Sequence, residues 1–487
     1  MSGSISTADA EARPSPSDPA DLGVVEAAAL LRARRLSSAE LTDACLRRIA
    51  ERNGGEPSFD GAAGAINAWM RLYQTVARDA AHAADRRRAR DGGDAPLLCG
   101  IPLALKDLYA VDGLPLTASS RVLEGNVARG DCTAWQRLRE QGMVLLGHTH
   151  THEFAAGGTT DQVGNPWALR RVVGGSSGGN GAALAARMVA AAVGTDTCGS
   201  LRIPSACCGT SAIKPTHGLV PIDGIIPLAP SLDHSGPMAR TIADCSALLM
   251  GMASGPSEAT ALMPPPEPIG ALPLRARPGP RPLEGVTVAL TNRVVGLAMD
   301  AAVEEALDAV RRACAGLGAR VVDRPAPWSL DWDDLTAVLL SEVWAYHAQF
   351  GARHASYRPA IAELVGAAAR FTDAQVYVGA QQRRARGVAS WEHWFREHRV
   401  DIVLEPTLPI VPYERGPGYD EGHAGGAGDP MIALTAMWDM TGMPVAALPV
   451  SWEAGVSLIA PRGHEAPLIQ AAIDLQEHAL GVPVWTP

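Results

Sequence analysis

The chain has 487 residues, a net charge of −10, and a composition that is 47% hydrophobic and 19% charged. That length and apolar content fit a globular fold with a substantial core and exclude a mainly disordered chain. The acidic balance argues against a nucleic-acid grip, no apolar run reaches the ~18 residues of a membrane span, and the first stretch lacks the apolar segment of a secretory signal.

Residues 1–20 read as a disordered tail. Residues 22–35 are apolar at helical spacing. Ser37, Ser38, Ala39 and Glu40 form a capping-box pattern that opens a second helix to about Arg52, where Asn53 and Gly54 end it. A run rich in Ala and Arg predicts a third helix over 66–90. Over 98–250 short apolar runs alternate with Gly-rich turns, with strands predicted at 101–105 and 143–147 and helices at 133–141 and 180–193. Alternation of this kind predicts an α/β core with a mixed or mostly parallel sheet. Eight prolines within 263–284 mark a surface excursion. A strand–helix–strand unit is predicted at 286–291, 301–317 and 319–322, and 335–398 reads as a less regular helical region. A strand at 402–404, a Pro-rich loop at 406–412, apolar segments at 445–450 and 456–460, and a helix over 468–480 complete the pattern. The paired Trp391 and Trp394 read as core.

The eight cysteines lack any Cys-x-x-Cys spacing, which reads as reduced thiols and a cytoplasmic setting. Lysine usage is more informative. Of 42 basic residues, Lys106 and Lys214 alone are lysine. A lysine kept where arginine would otherwise serve is a candidate for the one role guanidinium cannot fill, that of a neutral base.

Residues 174–179 read Gly-Gly-Ser-Ser-Gly-Gly directly before a helix-forming run, without the Gly-Lys-Ser/Thr of a P-loop. Ser200 follows Ser176 by twenty-four residues, inside Gly194-Thr195-Asp196-Thr197-Cys198-Gly199-Ser200-Leu201-Arg202. Lys106 precedes Ser176 by seventy, inside Gly100-Ile101-Pro102-Leu103-Ala104-Leu105-Lys106-Asp107. Asn165-Pro166-Trp167, Lys214-Pro215-Thr216-His217-Gly218, the run from Ser231 to Pro237, and Gly442-Met443-Pro444 follow in order. This constellation resembles the amidase signature family, serine hydrolases of amides with a Ser-Ser-Lys triad. The resemblance covers roughly 22–480, with a single amidase domain expected over 21–487.

The resemblance implies an α/β fold, a mixed β-sheet flanked by helices on both sides. It implies Ser200 as nucleophile, Ser176 after a cis peptide as the bridging serine, and Lys106 as base. The backbone N–H groups of Thr197, Cys198, Gly199 and Ser200 match the oxyanion hole, and Gly175, Ser177, Asp196 and Arg202 match supporting positions. The implied reaction is amide hydrolysis through an acyl-enzyme. It needs no metal or organic cofactor, and the expected partner is a small-molecule amide, with no nucleic acid and no membrane. Homodimers are common among relatives.

Several departures and rivals accompany the resemblance. Cys198 stands where the family often has glycine, and a thiol nucleophile there is the bolder alternative. His148, His150 and His152 would share one face of a strand, as a metal site could, but the family has a similar segment. Lys214 reads as a packing or hydrogen-bonding residue, and Asp439 stands where many members have asparagine. Glutaminase subunits of tRNA amidotransferases usually carry an acid seven positions before that asparagine; here the residue is Ile432. An amide-forming transacylase would use the same triad. Substrate selection is expected from 120–160 and 407–442.

Overall fold

The computed structural model describes residues 18–62, 64–253, 269–294, 297–371, 373–416 and 429–484. Most of the predicted tail and the start of the Pro-rich excursion, with residues 417–428, therefore lie outside the described residues. Helices α1 (Val24–Arg32) and α2 (Ser38–Arg52) form where apolar spacing and the capping box put them, with Ser37 and Glu40 bonding each other's backbone. Residues 18–20 of the predicted tail are structured. Asp18 caps a short turn, and Arg48 donates to it at 2.5 Å.

The chain continues through β1 (Trp69–Leu72), α3 (Gln74–Asp91), β2 (Pro102–Lys106), α4 (Thr133–Glu140), β3 (Val144–Thr149), α5 (Gly178–Ala185) and β4 (Ala191–Asp196). Next come α6 (Arg202–Cys208), β5 (Ser211–Lys214), β6 (His234–Ala239) and α7 (Ile242–Met252). The second half holds β7 (Thr287–Thr291), α8 (Ala301–Gly316), β8 (Arg320–Arg324), α9 (Trp332–His347), α10 (Pro359–Arg370) and α11 (Ala374–His398). It ends with β9 (Ile402–Pro406), α12 (Ala436–Met440), β10 (Val445–Pro449), β11 (Gly455–Ile459) and α13 (Glu465–Leu475).

Two predicted helices are each split by a strand. The helix predicted over 66–90 starts only at Gln74, because Trp69–Leu72 pairs antiparallel with β3, Trp69 opposite Thr149. Sheet pairing overrides the local helical tendency of that stretch. In the helix predicted over 180–193, α5 stops at Ala185, Arg187 turns the chain at φ 55°, and Ala191–Asp196 becomes a strand between β2 and β6. Small apolar residues there suit either a helix or a buried strand, so periodicity alone could not separate them.

Among the described residues the eleven strands form one mixed sheet, in the order β1-β3-β2-β4-β6-β5-β10-β11-β9-β7-β8. Strands β2, β3 and β4 run parallel, as do β7, β8 and β9, and the centre between them is antiparallel. Every residue of β2 to β6 and of β9 to β11 is buried, so helices cover both faces. Trp391 and Trp394 are buried core and pack edge-on, with Trp438 against Trp391. The eight cysteines are free thiols. Among the described residues no helix is long and apolar enough to cross a membrane.

The sheet fixes where side chains can meet. β2 and β4 are parallel neighbours with Leu105 opposite Val193, so both end at the same edge. The carboxyl ends of parallel strands are where α/β sheets build their sites. Here that edge receives Lys106, Thr195 and Asp196.

Candidate active site

Lys106 is the last residue of β2 and is fully buried. Its Nζ lies 2.7 Å from Ser176 Oγ and 2.8 Å from Thr195 Oγ1. Burial pulls its ammonium down to about 7, with the more distant carboxylates of Asp196 and Asp233 acting in the opposite sense. Near neutral pH a large fraction of this amine is therefore uncharged.

Ser176 sits in the glycine loop before α5, after a cis Gly175–Ser176 peptide. His152 N–H and Thr160 Oγ1 both donate to the Ser176 carbonyl, at 3.0 and 3.1 Å. A Cβ on Gly175 would lie 2.3 Å from the Thr159 carbonyl oxygen, so only glycine fits there. Ser177 ties this loop to the next one: its Oγ donates to Thr195 O at 3.2 Å and its amide donates to Ser200 O at 3.3 Å. The loop of Ser176 and the turn of Ser200 are thereby held together.

Ser200 lies in the turn between β4 and α6 and is 6% exposed, whereas Lys106 and Ser176 are at 0%. Of these three, only Ser200 reaches the cleft above. The turn is organised around Asp196, whose Oδ1 accepts the Gly199 amide at 2.5 Å and whose Oδ2 accepts the Leu201 amide at 3.1 Å. Gly199 is held at φ 133°, and a Cβ there would meet Thr435 Oγ1 at 2.5 Å. Its N–H already has a partner, which narrows the expected oxyanion donors to the amides of Thr197, Cys198 and Ser200. Thr197 Oγ1 donates to Asp233 Oδ1 at 2.6 Å, and Thr435 Oγ1 donates to the Cys198 carbonyl at 2.5 Å.

Beneath the turn lies a buried ionic cluster. Arg202 donates to both oxygens of Asp196, each at 2.9 Å, to Thr435 O at 3.0 Å, and to Asp439 Oδ2 at 2.5 Å. Burial pushes the carboxyl of Asp439 well above its ordinary range, against the pull of Arg202. Burial would raise Asp196 too, but Arg202 overcomes it and holds that carboxyl at about 2. His234 Nδ1–H faces Leu232 O at 2.6 Å, which leaves Nε2 to accept from Lys214 Nζ at 3.1 Å. Lys214 also donates to Met443 O at 2.6 Å. Arg202→Leu would leave two carboxyl groups facing each other in the interior. It is expected to lower the unfolding free energy by about 3–5 kcal/mol in urea titrations. A loss under ~1 kcal/mol would contradict this role for the guanidinium.

Two of the three histidines are used elsewhere, and His152 Nε2 lies 3.9 Å from Asp161 Oδ2. His148 bonds Tyr73 Oη at 2.8 Å and Tyr109 O at 3.1 Å, and His150 bonds Ser58 O at 2.9 Å. Among the described residues no group of three His, Cys, Asp or Glu side chains could hold a metal ion.

The cleft over Ser200 is walled by segments from both stretches expected to select substrate, Ala155 to Gly158 in one and Ile432 in the other. It is also walled by Leu339 of α9 and Leu364 of α10, which sequence reasoning missed. Thr195, Asp233, Thr435 and Asp439 were likewise missed as partners of the site. Thr195 and Asp233 lie inside runs that the sequence already singles out and Asp439 departs from an expected asparagine, whereas Thr435 carries no signal.

Known proteins resemble this chain over most of its length. The Amidase family model matches residues 57–469, most of the chain. A glutamyl-tRNA(Gln) amidotransferase subunit from Thioalkalivibrio sulfidiphilus is 35% identical over 431 residues, covering 82% of this chain and 84% of the relative. The solved structure of a 6-aminohexanoate cyclic dimer hydrolase superposes with a TM-score of 0.81 at 26% identity, covering 95% of this chain and 97% of that one. The peptide amidase of Stenotrophomonas maltophilia does so with a TM-score of 0.79 at 26% identity, covering 97% and 99%. The chain belongs to the amidase family.

Proposed function

We propose that this member of the amidase family is a cytoplasmic amidohydrolase that converts a small carboxamide to a carboxylate plus ammonia or an amine. One observation carries the reading: a fully buried lysine amine, drawn down to about 7, stands 2.7 Å from the hydroxyl of Ser176, whose loop is tied through Ser177 to the turn of a second serine, Ser200. In this reading neutral Lys106 Nζ takes the proton of Ser176 Oγ, and Ser176 takes that of Ser200. The Ser200 oxygen bonds to the amide carbon. A serine hydroxyl is a weak nucleophile unless a base is coupled to it, and the relay supplies that base.

Charge then develops on the carbonyl oxygen, facing the amides of Thr197, Cys198 and Ser200. One such donor typically contributes about 3 kcal/mol of transition-state stabilisation. The C–N bond breaks as the relay returns a proton to the nitrogen. Water enters, gives its proton to the same relay, and releases the acid from Ser200.

A second reading, one component of a glutamine-using amidotransferase, is favoured by the names of the sequence relatives. Against it stands Ile432, where the family resemblance leads one to expect an acid in such proteins. A third outcome of the same chemistry is capture of the acyl group by an amine. Product analysis separates them. Free carboxylate and ammonia in equal amounts are expected from the isolated chain with no second substrate. A new amide formed only when an amine is added, or acid released only from glutamine in the presence of co-purifying subunits, would overturn the hydrolase assignment.

A further inference from the structure

The cleft over Ser200 has walls that bear on the substrate, an inference that rests on the hydrolase reading above. Its apolar side chains are Ile203, Leu228, Leu339, Leu364 and Ile432, drawn from distant parts of the chain. Thr197, Cys198 and Ser200 belong to the nucleophile turn, and the rest is Ala155 to Gly158. Among the described residues that line it there is no Asp, Glu, Lys, Arg or His. Asp429 Oδ2 lies 3.6 Å from where a Cβ on Gly158 would sit, and its Oδ1 accepts the Met431 amide at 2.9 Å.

Direction follows from what the walls omit. Ser176 and Lys106 do not line the cleft, although Ser200 does. The leaving nitrogen must lie toward Ser176, because the relay hands it a proton. The other substituent of the carbonyl carbon, the acyl chain, then points away from the relay and into the cleft. The cleft is narrow and partly open to solvent, which restricts it to a compact acyl group.

We propose that this cleft is the acyl pocket and that it selects a small, uncharged, apolar acyl group, branched aliphatic or aromatic, over glutamine and other charged acyl groups. An ammonium or carboxylate entering it would lose its water and meet no counter-charge. The Cys198 thiol adds no charge either, since burial pushes it well above its ordinary range.

The test compares kcat/KM for isobutyramide and benzamide with that for glutamine and succinamate, in wild type and in Ser200→Ala. The two neutral amides are expected to exceed both charged ones by at least about 100-fold. Ile432→Asp is expected to narrow that margin against glutamine by about tenfold or more. Glutamine or succinamate matching the neutral amides, with all turnover lost in Ser200→Ala, overturns the pocket assignment and leaves the hydrolase reading intact. Turnover that survives Ser200→Ala overturns both. A binding readout keeps the pocket testable without turnover. Phenylboronic acid should protect Ser200 from a fluorophosphonate at a concentration at least about tenfold below that needed with 2-carboxyethylboronic acid. Equal protection by the two, or none by either, overturns the assignment.

Discussion

Substitution of Lys106 by arginine or by methionine is expected to lower kcat by about 10²–10⁴-fold, the range that general-base catalysis supplies. Arginine keeps the positive charge but cannot shed it, so it tests for a neutral base and not merely for a cation. Arginine is also larger than a site with no exposed surface allows, and methionine guards against misfolding as the trivial explanation. Methionine fills the same buried channel but leaves the hydroxyl groups of Ser176 and Thr195 without their partner, a cost of about 1–3 kcal/mol. That loss still allows cooperative unfolding, which thermal melts would check.

The pH profile carries the same claim with a definite sign. Burial brings the Lys106 amine down to about 7, so acid charges it and removes the base. Activity should therefore rise with pH, reach half its plateau near 7, and lie about tenfold below the plateau one unit lower. The residual rate of either variant should lack this inflection. Near-normal rates in both variants, or a wild-type profile flat from 6 to 9, would place the base elsewhere.

Ser200→Ala should be the most damaging single change, with turnover falling by at least about 10⁴-fold and an unaltered melting profile. The walls of the cleft stay in place, so amide binding measured by calorimetry should persist. The comparison also tests Cys198. Its thiol is pushed well above the ordinary range by burial and carries little thiolate at neutral pH. Full turnover in Ser200→Ala, abolished by adding Cys198→Ala, would move the nucleophile to the sulfur.

The fold was legible where local chemistry decides. The capping box of Ser37 and Glu40, the Gly-rich loop before α5, and the survival of two lysines among forty-two basic residues could all be read without coordinates. It was illegible where tertiary pairing decides. Trp69–Leu72 and Ala191–Asp196 are strands because neighbouring strands bond them, and both stretches lie in runs whose composition also suits a helix. Residues 335–398 read as helical, yet nothing in that pattern says that Leu339 and Leu364 face Ser200. Asp439 is the sharpest case. Its departure from asparagine is visible in the sequence, but its bond to Arg202, beneath a turn more than two hundred residues earlier, is not.

The account turns on a buried neutral amine that activates Ser200 through Ser176. The most direct measurement is the rate of fluorophosphonate labelling from pH 6 to 9, for wild type and Lys106→Met, with the adduct located by mass spectrometry. A single adduct on Ser200 is predicted, formed at a rate that rises through about pH 7 in the wild type and falls by orders of magnitude in the variant. Equal rates in the two proteins, or an adduct on any residue other than Ser200, would contradict it.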